Sequence, residues 1–393
     1  MKIVSVDPFY LRMPVITMAA DGTQDTVLVR VRTDDGVEGW GESDASPLVS
    51  IAAYCCPMSH GNMINIRESL LGETLDSPED VRRLHVKVLR NGLDIEQIHH
   101  AYSGADIALW DALGKKLGRP VYRLLGGERT FPKRPYASVL FGDTPEVTLK
   151  TARLLKSQGF LAAKFGWGPM GKKDADFDEA LVRAAREGLG AGSELMIDAG
   201  WAWGRDVDQV LERTKRFSKY QPTWLEEPFL PDALHAYAEL ARRKPAVAIA
   251  AGESAATFRA AEDFIENGGL NFVQIDAGRI GGITIARDVC RLAAERGVTY
   301  VNHTFKSRLS LAAALHVYAD HEPFQHLEYP TGRSRLAETL ATGIGDRDGD
   351  GRVRMSEEPG LGVKINLDCV REFLAPVRIE IGGRPVFEGA GPL

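Results

Sequence analysis

The spacing of apolar and polar positions changes its rhythm twice along this chain. From Thr26 to Thr33 the string TVLVRVRT alternates, which is the period of a strand with one buried face. Asp34, Asp35 and Gly36 supply turn chemistry and VEGWGES resumes the pattern, so a β-hairpin is predicted. The tract from Ala45 to Met63 is rich in Ser, Pro, Gly and aromatic or sulfur residues and reads as loop. From Ser77 to Arg90 the period lengthens to that of a helix, with Pro78 near its start and Glu79 and Asp80 in the first turn. A second helix is predicted over Ile95 to Leu117, stopped by Gly118. The first third of the chain is therefore α+β, a strand meander followed by helices.

From Arg134 onward short apolar runs alternate with amphipathic helical segments. The runs are PYASVL from Pro135, LAAKF from Leu161, ELMID from Glu194, TWLEE from Thr223, AVAIAAGE from Ala246, NFVQID from Asn271, VTYVNH from Val298 and QHLEY from Gln325. Strands separated by helices argue for parallel pairing through crossovers, and eight in roughly 200 residues fit a closed (β/α)8 barrel. The expected fold is α/β, with an N-terminal α+β capping domain over 1–130 and a barrel over 131–365. A C-terminal segment, 366–393, is expected to return to the cap.

Composition narrows the function. Hydrophobic residues at 44% and charged residues at 26% exclude a disordered or collagen-like chain. Lys plus Arg number 48 against 54 Asp plus Glu, so nothing favours nucleic acid or an anionic membrane as partner. No apolar run is long enough to span a bilayer, and Asp7 with Pro8 interrupts the N-terminal stretch, which does not read as a signal peptide. Cys55, Cys56, Cys290 and Cys369 show neither zinc spacing nor a disulfide framework, so a cytoplasmic location is expected.

The chemistry lies where the barrel runs end. In order these positions hold Lys164, Asp198, Glu226 with Glu227, Glu253, Asp276, His303 and Glu328. A barrel brings such positions to one mouth, so seven successive ionisable ends predict an active site. Asp198, Glu226 and Glu253 end three consecutive runs. Three carboxylates offer hard oxygen ligands and excess negative charge, which points to a divalent hard cation, Mg²⁺ before zinc because no Cys or His joins them. His303 is the residue that titrates near neutrality, and a carboxylate such as Asp276 fixes its tautomer and raises its basicity. With Lys164 across the mouth, base, metal and cation suit abstraction of a proton next to a carboxylate, where an enolate needs concentrated positive charge.

The strings AAKFG, LMIDAG, WLEEPF, AAGES, QIDAGRIGGI, YVNHT and HLEYP, with GVEGWGES and SGADIALWDALGKKLGRPVYRLLGG in the cap, resemble the enolase superfamily, mandelate racemase subgroup. The match covers nearly the whole chain. The resemblance implies that Asp198, Glu226 and Glu253 bind Mg²⁺, with Glu226 preferred over Glu227. It implies Asp276 and His303 as the base dyad, Lys164 on the substrate carboxylate and Glu328 hydrogen-bonded from the far side. It also implies a homo-oligomer whose cap closes over the mouth and selects a small-molecule acid sugar. One departure bears on the reaction. The subgroup commonly carries a second lysine two residues after the first, and this chain has Gly166 there. One base suffices for dehydration of an aldonate or aldarate to a 2-keto-3-deoxy acid, whereas a racemase or epimerase of a 2-hydroxy acid needs two. The expected enzyme is an acid sugar dehydratase, a hydro-lyase, with racemisation as the alternative.

Other motifs compete. Gly166-Trp167-Gly168-Pro169-Met170-Gly171 is formally GxGxxG and on its own would propose a nucleotide-dependent oxidoreductase. Against it, Lys164 opens the turn, Pro169 lacks an amide donor, and this is not the first strand. A non-catalytic metal-binding barrel is the remaining alternative. Asp346, Asp348 and Asp350 followed by Glu357 fit the EF-hand loop pattern, a candidate second metal site, although neither flank reads as a good helix. Tyr54, His60 and Asn62 in the cap loop and Trp201 after Asp198 are candidates for reading the substrate. Trp203 and Arg205 either line the pocket or pack the loop, and Lys306 reads as a solvated lysine.

Overall fold

The computed structural model of the protein describes residues 1–18, 22–60 and 63–389. Three N-terminal strands, β1 (Ile3–Arg12), β2 (Asp25–Thr33) and β3 (Glu38–Ser43), form an antiparallel sheet in that order. The hairpin predicted from TVLVRVRT is β2–β3, paired from Val27 with Ser43 to Arg32 with Glu38. The long helix Ile98–Leu117 lies directly on β3. Gly39 and Gly41 allow this approach, because a Cβ on either would stand 2.0 Å from the carbonyl oxygen of Ala108 or Gly104.

The tract expected to be loop contains a helix, Pro47–Cys55. Pro47 opens it, where a missing amide costs nothing. Ile51, Tyr54 and Cys55 are buried, and this i, i+3, i+4 set is the signal that the tract's polar composition hid.

Eight parallel strands make the barrel: β4 (Arg134–Leu140), β5 (Ala162–Gly166), β6 (Glu194–Asp198), β7 (Leu225–Glu226), β8 (Ile249–Ala251), β9 (Phe272–Ile275), β10 (Thr299–Asn302) and β11 (His326–Pro330). They pair in chain order, and β11 returns to β4. The seam between β10 and β11 is bridged by a side chain: Asn302 accepts from Glu328 N at 2.9 Å and donates to Glu328 O at 3.4 Å. Helices between the strands start on side-chain caps at Thr144, Asp174, Asp206, Thr257 and Ser307.

After the barrel the chain reaches the cap again. Ala375 N donates to Tyr10 O at 2.8 Å, and a hairpin, Arg378–Ile381 with Arg384–Glu388, packs Phe387 against Ile51 and Cys55. Among the described residues no helix is long and apolar enough to cross a membrane.

Candidate active site

Parallel strands give the barrel mouth one chemical direction, and the acids lie there. Asp198 and Glu226 are the last residues of β6 and β7, Glu253 stands two residues beyond β8, and Asp276 and His303 each follow the last residue of a strand. Lys164 and Glu328 sit mid-strand instead, third of five in β5 and in β11, and so lie deeper in the barrel. Ligand oxygens of Asp198, Glu226 and Glu253 come within 4.8 Å of one another. Burial, together with their neighbours' negative charge, pushes Asp198 well above the usual carboxylate range, and burial raises Glu226 as well. Crowded hard oxygens without Cys or His are a donor set that a hard divalent cation fits.

The Lys164 side chain is 2% exposed. Its ammonium contacts Glu226, lies 2.8 Å from Glu328 and 3.6 Å from Asp198. Burial opposes its charge, but these carboxylates outweigh that and hold it protonated, well above an ordinary lysine. Glu226 also accepts from the Trp224 indole at 2.9 Å, and Glu328 accepts from Thr304 N at 2.8 Å.

His303 is fixed through one nitrogen. Its Nδ1 lies 2.7 Å from Asp276 Oδ2, and Nε2 lies 3.4 Å from Glu253 Oε2. Burial disfavours the imidazolium, yet Glu253, Glu328 and the bond to Asp276 prevail and raise His303 to about 10. Much of that pull comes from the acid cluster, so neutralising the cluster lowers it.

Two residues of the site, Asp44 and Arg279, lay outside the sequence reading. Asp44, just beyond β3 of the cap, pairs with Arg279 at 2.8 Å and lies 3.4 Å from Lys306. Arg279 also stands 3.6 Å from Glu253. Lys306 is buried, against the expectation of a solvated lysine. It donates to Gly22 O at 2.6 Å and Asp25 O at 2.9 Å, tying the cap to the loop after β10. Arg279 was visible in QIDAGRIGGI, but only the fold shows that the cap supplies its partner. Glu227 lines the mouth beside the cluster, where Trp201 Nε1 donates to it and Ser254 lies at 3.3 Å. Burial raises its pKa to about 8. Both Trp201 (φ 65°) and Glu227 (φ 40°) hold left-handed backbone, strain of the kind that gathers at functional sites.

The mouth encloses about 790 Å³, lined by Asp44, Lys164, Asp198, Glu253, His303 and Trp201 among others. The other candidates lie elsewhere. Tyr54 is buried in the cap helix and donates to Ala101 O at 2.9 Å. His60 is exposed and 2.9 Å from Asp94, and Asn62 lies outside the described residues. Trp203 packs on Phe217, and exposed Arg205 pairs with Asp232. The EF-hand string is not assembled into a site. Asp346 pairs with Arg308 and Asp348 with Arg354, Asp350 is 80% exposed, and Glu357 accepts from Tyr122. Val353 pairs in a bridge with Arg347, so the string turns a hairpin-like corner. The GxGxxG loop spends its amides internally. Met170 N donates to Trp167 O, Lys172 N to Pro169 O and Gly171 N to Asp178, which leaves those three donors unavailable to a phosphate.

A barrel with carboxylates, a lysine and a histidine gathered at its mouth under an α+β cap is the arrangement of an enzyme. Two family descriptions match, "Mandelate racemase / muconate lactonizing enzyme, N-terminal domain" over 2–126 and "Enolase C-terminal domain-like" over 147–369. The chain belongs to the mandelate racemase subgroup of the enolase superfamily. It is 29% identical to the D-galactarolactone cycloisomerase of Agrobacterium fabrum, over 89% of this chain and 91% of that one. It is 29% identical to the L-talarate/galactarate dehydratase of Salmonella typhimurium, over 91% and 84%. A crystal structure from Rhodobacter sphaeroides, described as a predicted mandelate racemase, superposes with TM-score 0.96 at 45% identity, covering 99% of each chain.

Proposed function

We propose that this enzyme dehydrates an acid sugar to a 2-keto-3-deoxy acid by abstracting the proton α to the carboxylate. Asp198, Glu226 and Glu253 would hold Mg²⁺, which when bound supplies positive charge to the carboxylate and to the enolate that develops from it. Lys164, held protonated, adds a second positive charge from below. Asp276 holds His303 Nδ1, so Nε2 is the nitrogen that takes the α-proton. The C–H electrons form the enolate, the β-hydroxyl departs, and the imidazolium gives it the proton, so water leaves. That return requires both groups on the His303 face. The enol then tautomerises to the 2-keto acid.

The observation that carries this reading is the one-sided base. Gly166 has no side chain to take a proton, and even a Cβ there would stand 3.3 Å from Asp198 Oδ2 and Leu140 Cδ2, close enough that these neighbours would have to give by a few tenths of an ångström. Lys164 is committed to three carboxylates. Racemisation needs a base on each face, dehydration only one. The test is a screen of mono- and diacid sugars for 2-keto acid release with Mg²⁺, with chelator and after Mg²⁺ is restored. Release should appear, vanish and return. Full activity in excess chelator would contradict the metal-assisted reading.

A further inference from the structure

The acids that line the mouth come from the cap and from β6, β7 and β8, as Asp44, Asp198, Glu227 and Glu253. The arc made by β11, β4 and the turn at Gly22 and Thr23 of the cap is lined by Thr23, Ser138, Leu140, Thr331, Gly332 and Arg333. Among the described residues of that arc, Arg333 is the ionisable one. It follows β11, which lies four strands from β7 in either direction around the barrel, so Arg333 stands across the mouth from the acid cluster.

The Arg333 side chain is 3% exposed. Its Nε lies 3.2 Å from Glu338 Oε1, and Glu338 is 45% exposed, so water screens that pair. The guanidinium sits 5.6 Å over the Tyr329 ring, which packs in turn on Phe160. Nη1 is enclosed and has no hydrogen-bond partner. A buried charged donor left unpaired is costly, and the Nε contact to Glu338 does not serve the terminal edge of the fork, where Nη1 lies. That edge matches a carboxylate in a bidentate pair, with geometry an ammonium cannot offer.

We propose that Arg333 receives a second carboxylate of the substrate, so that the acid sugar is an aldarate and not an aldonate. The inference rests on the dehydratase reading for the first carboxylate, which goes to the metal and Lys164. The distal carboxylate then lies opposite the acid cluster, beside β11 and β4, whose described lining residues include no acid. A cavity of about 790 Å³ accommodates an extended diacid between the two poles.

The test measures binding apart from turnover. Calorimetry with the Mg²⁺-loaded protein compares a hexarate with the hexonate that differs from it only at C6. The wild type should bind the hexarate about 100-fold more tightly, the scale of a charged bidentate pair. Arg333→Gln should collapse that ratio to near one through loss on the diacid side, and Arg333→Lys should fall between. Equal binding of the two acids by the wild type would overturn the proposal, and so would a preference that survives Arg333→Gln. If the variant fails to fold, the wild-type ratio decides. If the ratio behaves as expected but neither acid loses water, the dehydratase reading fails and the diacid site stands.

Discussion

At His303 the two ring nitrogens have separate duties. Nδ1 is spent on Asp276 at 2.7 Å, which leaves Nε2 for the substrate. His303→Asn keeps the approximate shape and a hydrogen bond but cannot accept a proton. It should lower α-proton exchange and dehydration by about 10²–10⁴-fold, the range for losing a general base. Mg²⁺ should still raise the variant's melting temperature, because the three acids are untouched. Exchange in deuterated water and a thermal melt with and without Mg²⁺ check both halves, and wild-type exchange rates would place the base elsewhere. These residues were legible in the sequence because each sits at or near the end of an apolar run, and strand ends in a barrel converge. Asp44 and Lys306 were not, because their meaning depends on the cap meeting the barrel. A lysine in a loop reads as solvated until the carbonyls of Gly22 and Asp25 are brought to it.

The elements show the same division. Strong periodicity located the barrel strands and the long cap helix Ile98–Leu117 to within a few residues, whereas Pro47–Cys55 was lost behind polar and glycine composition. The long cap helix also meets the barrel through a buried acid. Asp106 accepts from Thr284 Oγ1 at 2.6 Å and Thr284 N at 3.1 Å, and Trp110 Nε1 donates to the same threonine at 2.9 Å. Burial raises Asp106 from 3.8 to about 7. The folded state therefore holds a proton that the unfolded chain releases between about pH 4 and 7. Its contribution to stability is fully present below the lower value and is lost as pH rises through the higher. Asp106→Asn keeps a neutral acceptor at every pH. Relative to wild type it should gain stability between pH 4 and pH 8, by at most about 4 kcal/mol for the full shift. Denaturant unfolding at those two pH values measures this, and a difference independent of pH would show that Asp106 ionises normally.

On the scale of the whole molecule, the site is completed by the docking of the cap. Lys306 bonds cap carbonyls, Asp44 pairs with Arg279, and Ser334 N donates to Thr23 Oγ1 at 2.7 Å. Lys306→Met should loosen that closure, lowering kcat/KM on the order of 10-fold with KM carrying most of it. Stability should fall by about 1–3 kcal/mol as buried acceptors lose their donor. Steady-state kinetics and a denaturant titration read both effects, and an unchanged KM would separate Lys306 from closure. The central claim is that one base works on one face. The direct measurement is NMR of an acid sugar incubated with the Mg²⁺-loaded enzyme in deuterated water. The expected spectrum shows the 2-keto-3-deoxy acid growing while remaining substrate keeps its α-configuration. Growth of the α-epimer at a rate similar to product would require a second base opposite His303 and would contradict the account.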